Sequence, residues 1–376
     1  MTPRTLAWGV LAVLILAAGG FCIWLAMLPT DRAFAAPAIS AAEAAATVAA
    51  LEPAGDRRPL IAVIGLSDAT ETTDYLMPVG ILRRADIADV VMLATAPGPV
   101  QLFPALAVQP DSTTADFDAQ HPDGADYVIV PAMSRDDDPV VLSWLQQQSA
   151  KGAIVIGICA GAKVVAAAGL LDGKQATTHW FYRNELLKRH PSVHYVPDRR
   201  LVVDGRVATT TGITASMPMM LTLIEAIAGR DKAEAVARDL GVEHWDARHA
   251  SDAFRFTRGF ATGVMGNVLA FWRREQLGIP LEPGMDEVSL ALVADAWSRT
   301  FRSRALTIAP TAEITTEHGL RIVPDRIGED AAGLPPAPTF FEHPPADALD
   351  HTLAAIAERY GQSTTDIVAM QLEYPR

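Results

Sequence analysis

The stretch Ala153-Ile-Val-Ile-Gly157-Ile-Cys159-Ala-Gly161-Ala-Lys-Val-Val-Ala-Ala-Ala-Gly169 decides the fold class. An apolar run, which predicts a buried strand, leads into Gly-x-Cys-x-Gly and then into a helical pattern. This is the strand-turn-helix context of a nucleophile elbow, with sulfur in place of the usual serine oxygen. Gly157 and Gly161 let the backbone turn sharply enough to present Cys159. A buried structural cysteine is the alternative interpretation, and the glycine spacing favours the nucleophile.

The segments on both sides of the elbow alternate between strand and helix patterns. The strand runs are apolar throughout, which is typical of parallel strands covered by helices on both faces. The sequence therefore predicts an α/β, doubly wound fold with a mostly parallel sheet. The predicted strands are residues 60–65, 89–94, 127–131, 153–158, 201–203 and 207–211, and the predicted helices are residues 75–84, 140–150 and 217–240.

Cys159 and Cys22 are the two cysteines of the chain. A thiol at the start of a helix lies near unpaired amides and the positive end of the helix dipole, which stabilise the thiolate. We therefore expect Cys159 to titrate below the free-cysteine value of about 8.5. Cys22 lies inside an apolar run, where an inert side chain is expected.

Two segments carry a resemblance to a known family. They are Ile158-Cys-Ala-Gly161 and Gly169-Leu-Leu-Asp-Gly-Lys-Gln-Ala-Thr-Thr-His179-Trp180. Over residues 59–241 the chain resembles the ThiJ/PfpI superfamily, which is related to the class I glutamine amidotransferases. Its motifs are most similar to those of the ThiJ/PfpI domains of AraC-type regulators and of isonitrile hydratases. The resemblance implies a flavodoxin-like fold.

The resemblance also implies a set of catalytic residues. Cys159 takes the place of the nucleophile, His179 that of a nearby base or orienting group, and Asp74 that of the acid that hydrogen-bonds the sulfur. A carboxyl beside a thiolate has a raised pKa, so we expect Asp74 to stay protonated. The alternative role for Asp74 is a helix N-cap. No carboxylate stands two residues after His179, which disfavours the Cys-His-Glu chemistry of glutamine amidotransfer.

Backbone amides of Ala160, Ala132 and Met133 are the expected oxyanion donors. The family usually has glycines after the strand at residues 127–131, and Ala132 and Met133 replace them here, which puts acyl-transfer chemistry in doubt. The acidic run at residues 135–139 is interpreted as a solvated loop and helix entry. We assign no metal and no cofactor.

The N-terminus contains an uncharged run from Leu6 to Leu28. A helix of that length would cross a hydrocarbon core of about 30 Å. We interpret residues 1–34 as a transmembrane anchor and residues 35–58 as a linker with a short helix at residues 40–51. The positive charge before the run predicts a single-pass protein whose body is extracytoplasmic. A signal peptide cleaved after Ala33-Phe34-Ala35 is the alternative.

Residues 242–376 form a C-terminal extension in which an earlier pattern recurs. Helical Met285 to Arg299 resembles Thr73 to Arg84, and Ala309-Pro310 matches Ala96-Pro97. Residues 314–323, ending in Pro324-Asp325, match residues 100–108, ending in Pro110-Asp111. We interpret the extension as a degenerate second copy without a cysteine elbow. An unrelated extension with amphipathic helices at residues 264–276 and 346–360 is the alternative.

Charge and composition restrict the partners. The formal net charge is -13, so a polyanion is repelled and nucleic acid is not an expected partner. A small-molecule ligand and a possible homo-oligomer remain. Two functions are left open. One is cysteine-dependent hydrolase, hydratase or glyoxalase chemistry on a small carbonyl-, amide- or nitrile-like molecule, and the other is a non-catalytic small-molecule or redox sensor.

Overall fold

A computed structural model describes residues 3–30, 35–328 and 333–374. The elements up to residue 241 form the first unit. Its strands are β1 (Leu60–Gly65), β2 (Thr70–Glu71), β3 (Asp89–Ala94), β4 (Val100–Phe103), β5 (Ala107–Gln109), β6 (Ser112–Thr113), β7 (Tyr127–Val130), β8 (Ile154–Gly157), β9 (Gln175–Ala176), β10 (His194–Tyr195), β11 (Leu201–Asp204) and β12 (Val207–Thr210). The helices up to the same point are α1 (Pro3–Met27), α2 (Ala41–Ala50), α3 (Thr72–Ala85), α4 (Thr114–Gln120), α5 (Pro139–Ala150), α6 (Gly161–Ala167), α7 (Arg183–Arg189), α8 (Ser216–Ala228) and α9 (Arg230–Asp239).

The central sheet has seven strands in the order β11-β12-β8-β7-β1-β3-β6. Only the edge strand β11 is antiparallel to its neighbour. Side chains of β1 alternate between two cores, because Ile61 and Val63 pack into one and Ala62 and Ile64 into the other. Helices α3 and α8 cover the first face, and α5 and α6 cover the second. The predicted α/β architecture is therefore confirmed.

The N-terminal prediction requires a correction. In the part of the chain that the structure describes, no helix combines the length and the apolar character needed to cross a membrane. The predicted transmembrane segment and the single-pass localisation are therefore wrong. The end of α1 contacts the body of the protein, where Arg258 Nε donates to the carbonyl oxygen of Leu25 at 3.0 Å and the Trp24 and Phe256 rings lie 6.2 Å apart. Residues 31–34 of the alternative cleavage site lie outside the described residues.

The predicted linker contains a helix that packs on the first unit. Ser40 caps α2 by accepting a hydrogen bond from the Glu43 amide at 3.1 Å. Glu43 forms an ion pair with Arg199, and the Tyr127 hydroxyl donates to the Leu51 carbonyl oxygen at 2.7 Å. These contacts hold the segment after residue 40 against the sheet.

The extension contains further strands and helices. They are α10 (Arg258–Leu269), β13 (Glu275–Pro280), α11 (Glu287–Ser298), β14 (Ser303–Ala309), β15 (Ile314–Thr315), β16 (Arg321–Val323), β17 (Arg326–Ile327), α12 (Pro345–Tyr360) and α13 (Gln362–Leu372). The pattern at residues 264–276 is divided between α10 and β13, which corrects the helix expected there. The predicted helix at residues 217–240 is likewise two helices, which are separated at Gly229, where φ is 84°.

The extension packs directly on the first unit. Strands β13, β14 and β17 form a parallel sheet, and β16 pairs antiparallel with β5 to continue the sheet β15-β16-β5-β4-β2. Helix α11 packs against α3, with side chains of both in one apolar core. This arrangement brings the end of α11 to the edge of the sheet where the elbow lies.

Candidate active site

The turn between β8 and α6 has the geometry of a nucleophile elbow. Cys159 has a φ of 56°, a left-handed conformation that costs energy for a residue with a Cβ. A Cβ on Gly161 would lie 2.1 Å from the Val130 carbonyl oxygen, and one on Gly157 would lie 3.0 Å from the Ala162 nitrogen. Gly161 is therefore needed for the close approach of the elbow to the neighbouring backbone, and the space at Gly157 is tight.

Hydrogen bonds fix the backbone of Cys159. Its amide donates to Thr210 Oγ1 at 3.0 Å, and Thr178 Oγ1 donates to its carbonyl oxygen at 3.1 Å. The residue is 4% exposed. The Ala160 amide hydrogen-bonds the sulfur and lowers the thiol pKa, although other influences on that pKa are larger.

Asp74 lies in the first turn of α3 and is fully buried beside Cys159. Its Oδ2 accepts a hydrogen bond from the Ala132 amide at 3.2 Å, whereas Oδ1 has no hydrogen-bond partner among the described residues. Burial raises the pKa of Asp74 to about 7, against the opposing effects of the Ala132 amide, Arg299 and the Cys159 thiol. The carboxyl can therefore exchange a proton near neutral pH, next to the sulfur.

Glu71, and not Asp74, is the N-cap of α3. Glu71 Oε2 accepts a hydrogen bond from the Asp74 amide at 2.6 Å. The side chain of Asp74 is therefore free to face the elbow, which removes the N-cap alternative. Burial raises the pKa of Glu71 well above its usual value, and the nearby Asp74 and Asp295 add to the rise.

The predicted oxyanion donors do not all point at a common position. The Ala132 amide donates to Asp74, and its carbonyl oxygen accepts from the Glu71 amide at 2.9 Å. Met133 forms an isolated bridge with Thr70. The Ala160 amide is the predicted donor that lies at the sulfur. The backbone around Ala132 therefore holds the Asp74 carboxyl.

The surroundings of Cys159 overturn the expectation of a lowered thiol pKa. Burial raises the pKa of the thiol well above its usual value, and the carboxyls of Asp74, Glu71 and Glu373 raise it further. The resting site therefore contains a protonated thiol, and a base must remove the proton as the sulfur reacts.

His179 is held by two backbone groups. Its Nδ1 accepts a hydrogen bond from the Phe181 amide at 3.2 Å, so Nε2 carries the proton and donates to the Gln371 carbonyl oxygen at 3.0 Å. Burial lowers the pKa of His179, which keeps the ring neutral. Both nitrogens of His179 are therefore engaged, and the ring contacts the C-terminal segment. Neither nitrogen is available as a base for the thiol.

Three ionisable groups at the site were not among the predicted site residues: Glu71, Asp295 and Arg299. Arg299 Nη2 contacts Glu71 Oε1 at 2.5 Å, and Arg299 Nε contacts Asp295 Oδ1 at 2.6 Å. Asp295 also accepts a hydrogen bond from Thr73 Oγ1 at 2.8 Å. Asp295 and Arg299 belong to α11 and its C-cap, so the extension places a cation and an acid beside the first turn of α3.

The C-terminal segment adds a further carboxyl. Glu373 is 2% exposed, and its Oε2 accepts a hydrogen bond from the Gly212 amide at 2.8 Å. A Cβ on Gly212 would lie 2.6 Å from the Glu373 Cβ. The Trp180 amide donates to Glu373 Oε1, and Trp180 Nε1 donates to the Met370 carbonyl oxygen at 2.8 Å. The end of α13 therefore covers the loop that carries His179.

Tyr182 also belongs to the site. Burial raises its pKa, and the neighbouring Cys159 raises it further. The Lys163 ammonium lies 4.8 Å from the centre of the Tyr182 ring. The phenol is therefore a polar group near the sulfur that the sequence analysis did not identify.

The acidic run at residues 135–139 leads into α5 as expected, and Asp136 is its one buried residue. Asp136 pairs with Lys163 at 2.9 Å and with Arg189 at 2.7 Å, and Asp138 caps α5. Elsewhere, Asp286, Glu287 and His318 have ligand atoms within 4.8 Å of one another. Arg84 and the His318 ring already engage these carboxylates, so the group is explained by ion pairs.

Most of the first unit is similar to a known protein family. A model of the DJ-1/PfpI family matches residues 61–226. The chain contains a DJ-1/PfpI family domain. The resemblance drawn from the elbow and from the segment after it is confirmed. Residues 227–376, which include the whole extension, lie outside the match.

Three curated relatives show how much of the chain is similar. An isonitrile hydratase of Pseudomonas putida is 39% identical over 105 residues, 28% of this chain and 44% of that protein. The Parkinson disease protein 7 homolog of Danio rerio is 29% identical over 48% of this chain and 95% of that protein. The HTH-type transcriptional regulator GlxA of Rhizobium meliloti is 29% identical over 47% of this chain and 54% of that protein. The chain thus spans less than half of the hydratase and nearly all of the Danio rerio protein.

Proposed function

We propose that this protein is a cysteine-dependent enzyme that adds water to a small, uncharged carbon electrophile, an isonitrile in the first instance. Cys159 is the nucleophile and Asp74 is its proton acceptor and donor. The similarity to an isonitrile hydratase supports the choice of substrate class. Burial of Cys159 and Asp74 favours a neutral substrate, because a charged one would lose its hydration without a partner.

The observation that carries the proposal is the state of the Asp74 carboxyl. Its Oδ1 has no hydrogen-bond partner among the described residues, and its pKa is raised to about 7. A general acid-base group works best when its pKa is near the operating pH. Because both nitrogens of His179 are engaged with backbone, Asp74 is the group that can take the thiol proton.

The reaction then needs two steps. In the first, the Asp74 carboxylate accepts the thiol proton while the sulfur forms a bond to the terminal isonitrile carbon. Asp74 returns that proton to the same carbon, which gives a thioimidate, R–N=CH–S–Cys159. In the second, water adds its oxygen to the thioimidate carbon and the carbon–sulfur bond breaks. One water proton goes to nitrogen and the other to sulfur, which releases R–NH–CHO and the free thiol.

The proposal is tested with the full chain and a small alkyl isonitrile, with formation of the N-alkylformamide followed by NMR. Methylglyoxal and an alkyl nitrile serve as the carbonyl and nitrile probes. Wild type and the Cys22→Ser control should form the same product at the same rate. We expect Cys159→Ser to form none and Asp74→Asn to be slower by about 10²- to 10⁴-fold. Absence of product from wild type with all three probes would overturn the enzyme proposal.

A sensor is the second candidate, and the raised thiol pKa favours it. A sulfur that stays protonated and 4% exposed can line a ligand site without reacting. The similarity to a transcriptional regulator fits this candidate as well. A sensor should show a higher melting temperature with one of the probes, equally in wild type and in Cys159→Ser, and no product. Nucleic acid remains an unexpected partner, and a homo-oligomer remains a prediction.

A further inference from the structure

Two ion pairs join α3 and α11 in a reciprocal manner. Arg299, the C-cap of α11, contacts Glu71, the N-cap of α3. Arg84, in the last turn of α3, contacts Asp286, the N-cap of α11. Each arginine lies thirteen residues after the acidic cap of its own helix. Contacts of this kind, in which each element presents the same group to the other, are typical of interfaces with twofold symmetry.

The elements around the two helices have the same order and pairing. Strands β1 and β3 flank α3 and pair in parallel, as β13 and β14 do around α11. Asp111 Oδ2 accepts a hydrogen bond from the Met92 amide at 2.7 Å, and Asp325 Oδ2 accepts one from the Thr307 amide at 2.8 Å. Each aspartate directly precedes the strand that pairs with β3 or β14, which are β6 and β17.

The starts of α3 and α11 differ at the residue three positions after the N-cap. The cap Glu71 accepts a hydrogen bond from the amide of Asp74, and the cap Asp286 accepts one from the amide of Ser289. Ser289 therefore stands where the first unit has its buried carboxyl. Of the two arginines, only Arg299 reaches a helix start that carries Asp74, and Arg84 reaches one that carries a serine.

We propose that the C-terminal extension is a degenerate second copy and that Arg299 is its contribution to the Cys159 site. Arg299 is a positioning residue. It holds Glu71 and, through the capped first turn of α3, the carboxyl of Asp74 toward the sulfur. In this arrangement the extension supplies within one chain what a twofold partner would supply in a dimer. The inference rests on the proposed roles of Cys159 and Asp74.

The charges around the sulfur make the effect of Arg299 measurable. In the described part of the chain, one cation and several acids face Asp74 and Cys159. They are Arg299, the C-cap of α11, Asp295 from α11, Glu71 from the start of α3, Glu373 from the C-terminal segment and the phenol of Tyr182. Removing the Arg299 guanidinium leaves the negative charge of these acids without a nearby positive charge. The thiolate then forms less readily.

The test measures the alkylation of Cys159 by iodoacetamide between pH 7 and 9.5, in a Cys22→Ser background. Below the thiol pKa the rate is proportional to the thiolate fraction, so it changes tenfold for each unit by which that pKa moves. We expect Arg299→Met to react about tenfold more slowly than its background at every pH. The matched control Arg84→Met removes the reciprocal ion pair and should react at the background rate.

The sign of the change separates the effect of the Arg299 charge on the thiol from general loosening of the site. A site that merely opens would expose the sulfur and react faster. Equal rates in Arg299→Met and its background, a faster rate, or the same decrease in Arg84→Met would each overturn the proposal. The assay needs no substrate, so it can succeed even where the hydratase proposal fails.

A second pair of variants covers the case in which the methionine variants do not fold, as judged by circular dichroism. Lysine keeps the charge, but its single ammonium nitrogen cannot contact Glu71 and Asp295 as the planar guanidinium does. We expect Arg299→Lys to be slower than Arg84→Lys, with a smaller difference than for the methionine pair. Equal rates in the two lysine variants would overturn the proposal.

Discussion

The Ala132 amide nitrogen lies 3.2 Å from Asp74 Oδ2. This hydrogen bond joins the end of β7 to the first turn of α3 and leaves Oδ1 as the only oxygen of that carboxyl without a hydrogen-bond partner among the described residues. The amide that sequence analysis assigned to an oxyanion instead orients an acid. A backbone donor therefore holds the Asp74 carboxyl against the elbow.

The raised pKa of Asp74 predicts how stability depends on pH. Its value of about 7 in the folded protein exceeds the ordinary carboxyl value, so the folded state binds more protons between about pH 4 and 7. The contribution of Asp74 to stability should therefore fall as pH rises through that window and become constant above it. The expected total is up to about 4 kcal/mol, from 1.36 kcal/mol per unit of pKa.

Asp74→Asn should remove that dependence. The amide keeps an acceptor for the Ala132 amide and cannot ionise, so this variant should be more stable than wild type at pH 8 and similar to it at pH 4. Urea denaturation at the two pH values measures the difference. An Asp74→Asn protein that gained no stability at pH 8 would show that the carboxyl has an ordinary pKa.

The glycine at the start of α6 should not tolerate a side chain. A Cβ on Gly161 would lie 2.1 Å from the Val130 carbonyl oxygen, so Gly161→Ala must displace β7 or the elbow. We expect a loss of several kcal/mol of stability. Gly266→Ala is the matched control, because its Cβ would meet no atom within 4 Å and alanine favours a helix. Comparable unfolding midpoints for the two variants would contradict the geometry of the elbow.

His179 should matter for structure and not for proton transfer. Its ring bridges the Phe181 amide and the Gln371 carbonyl oxygen, so His179→Ala should cost about 1–3 kcal/mol through two unpaired groups. The pH dependence of Cys159 alkylation should keep its shape. A change in that shape near pH 6 to 7 would indicate that His179 exchanges a proton with the sulfur after all.

Local sequence patterns predicted the parts of the site that depend on neighbouring residues. Gly157, Cys159 and Gly161 lie in one turn of the sequence. They could be identified because the strand before the turn, the turn itself and the helix after it each have a recognisable sequence pattern. Asp74 was identified because the resemblance to the ThiJ/PfpI superfamily places an acidic residue there. Apolar runs predicted six of the seven strands of the central sheet, because continuous runs of this kind mark strands buried on both faces. The two-residue edge strand β6 was missed, since it is polar and too short to form such a run.

The charged groups that surround the sulfur could not be predicted in this way. The packing of the extension brings Arg299 and Glu373 close enough to Cys159 to act on it electrostatically, and tertiary contacts leave no local pattern. The recurrence of Thr73 to Arg84 in Met285 to Arg299 did contain a signal, because it aligns Arg84 with Arg299.

Strand pairing changes one detail of that recurrence. Ala94 pairs with β6 as Ala309 pairs with β17, so the structural equivalent of Ala309 is Ala94 and not Ala96.

The carboxyls near Cys159 should reduce the reactivity of its thiol toward iodoacetamide. Glu373 raises the pKa of Cys159, as Asp74 does, so neutralising either acid should make the sulfur more reactive. Glu373→Gln keeps an oxygen that can accept a hydrogen bond from the Gly212 amide, and in a Cys22→Ser background its alkylation rate at pH 8 should rise severalfold. Glu358→Gln is a control, because Glu358 is an acid on the surface of α12.

A loosened C-terminal segment would also accelerate the reaction, but the rate would then depend little on which residue replaces Glu373. Glu373→Asp keeps the charge while shortening the side chain, so it should loosen the segment without removing the repulsion. A faster reaction in Glu373→Gln than in Glu373→Asp would therefore assign the gain to charge, and the reverse order would assign it to exposure of the sulfur.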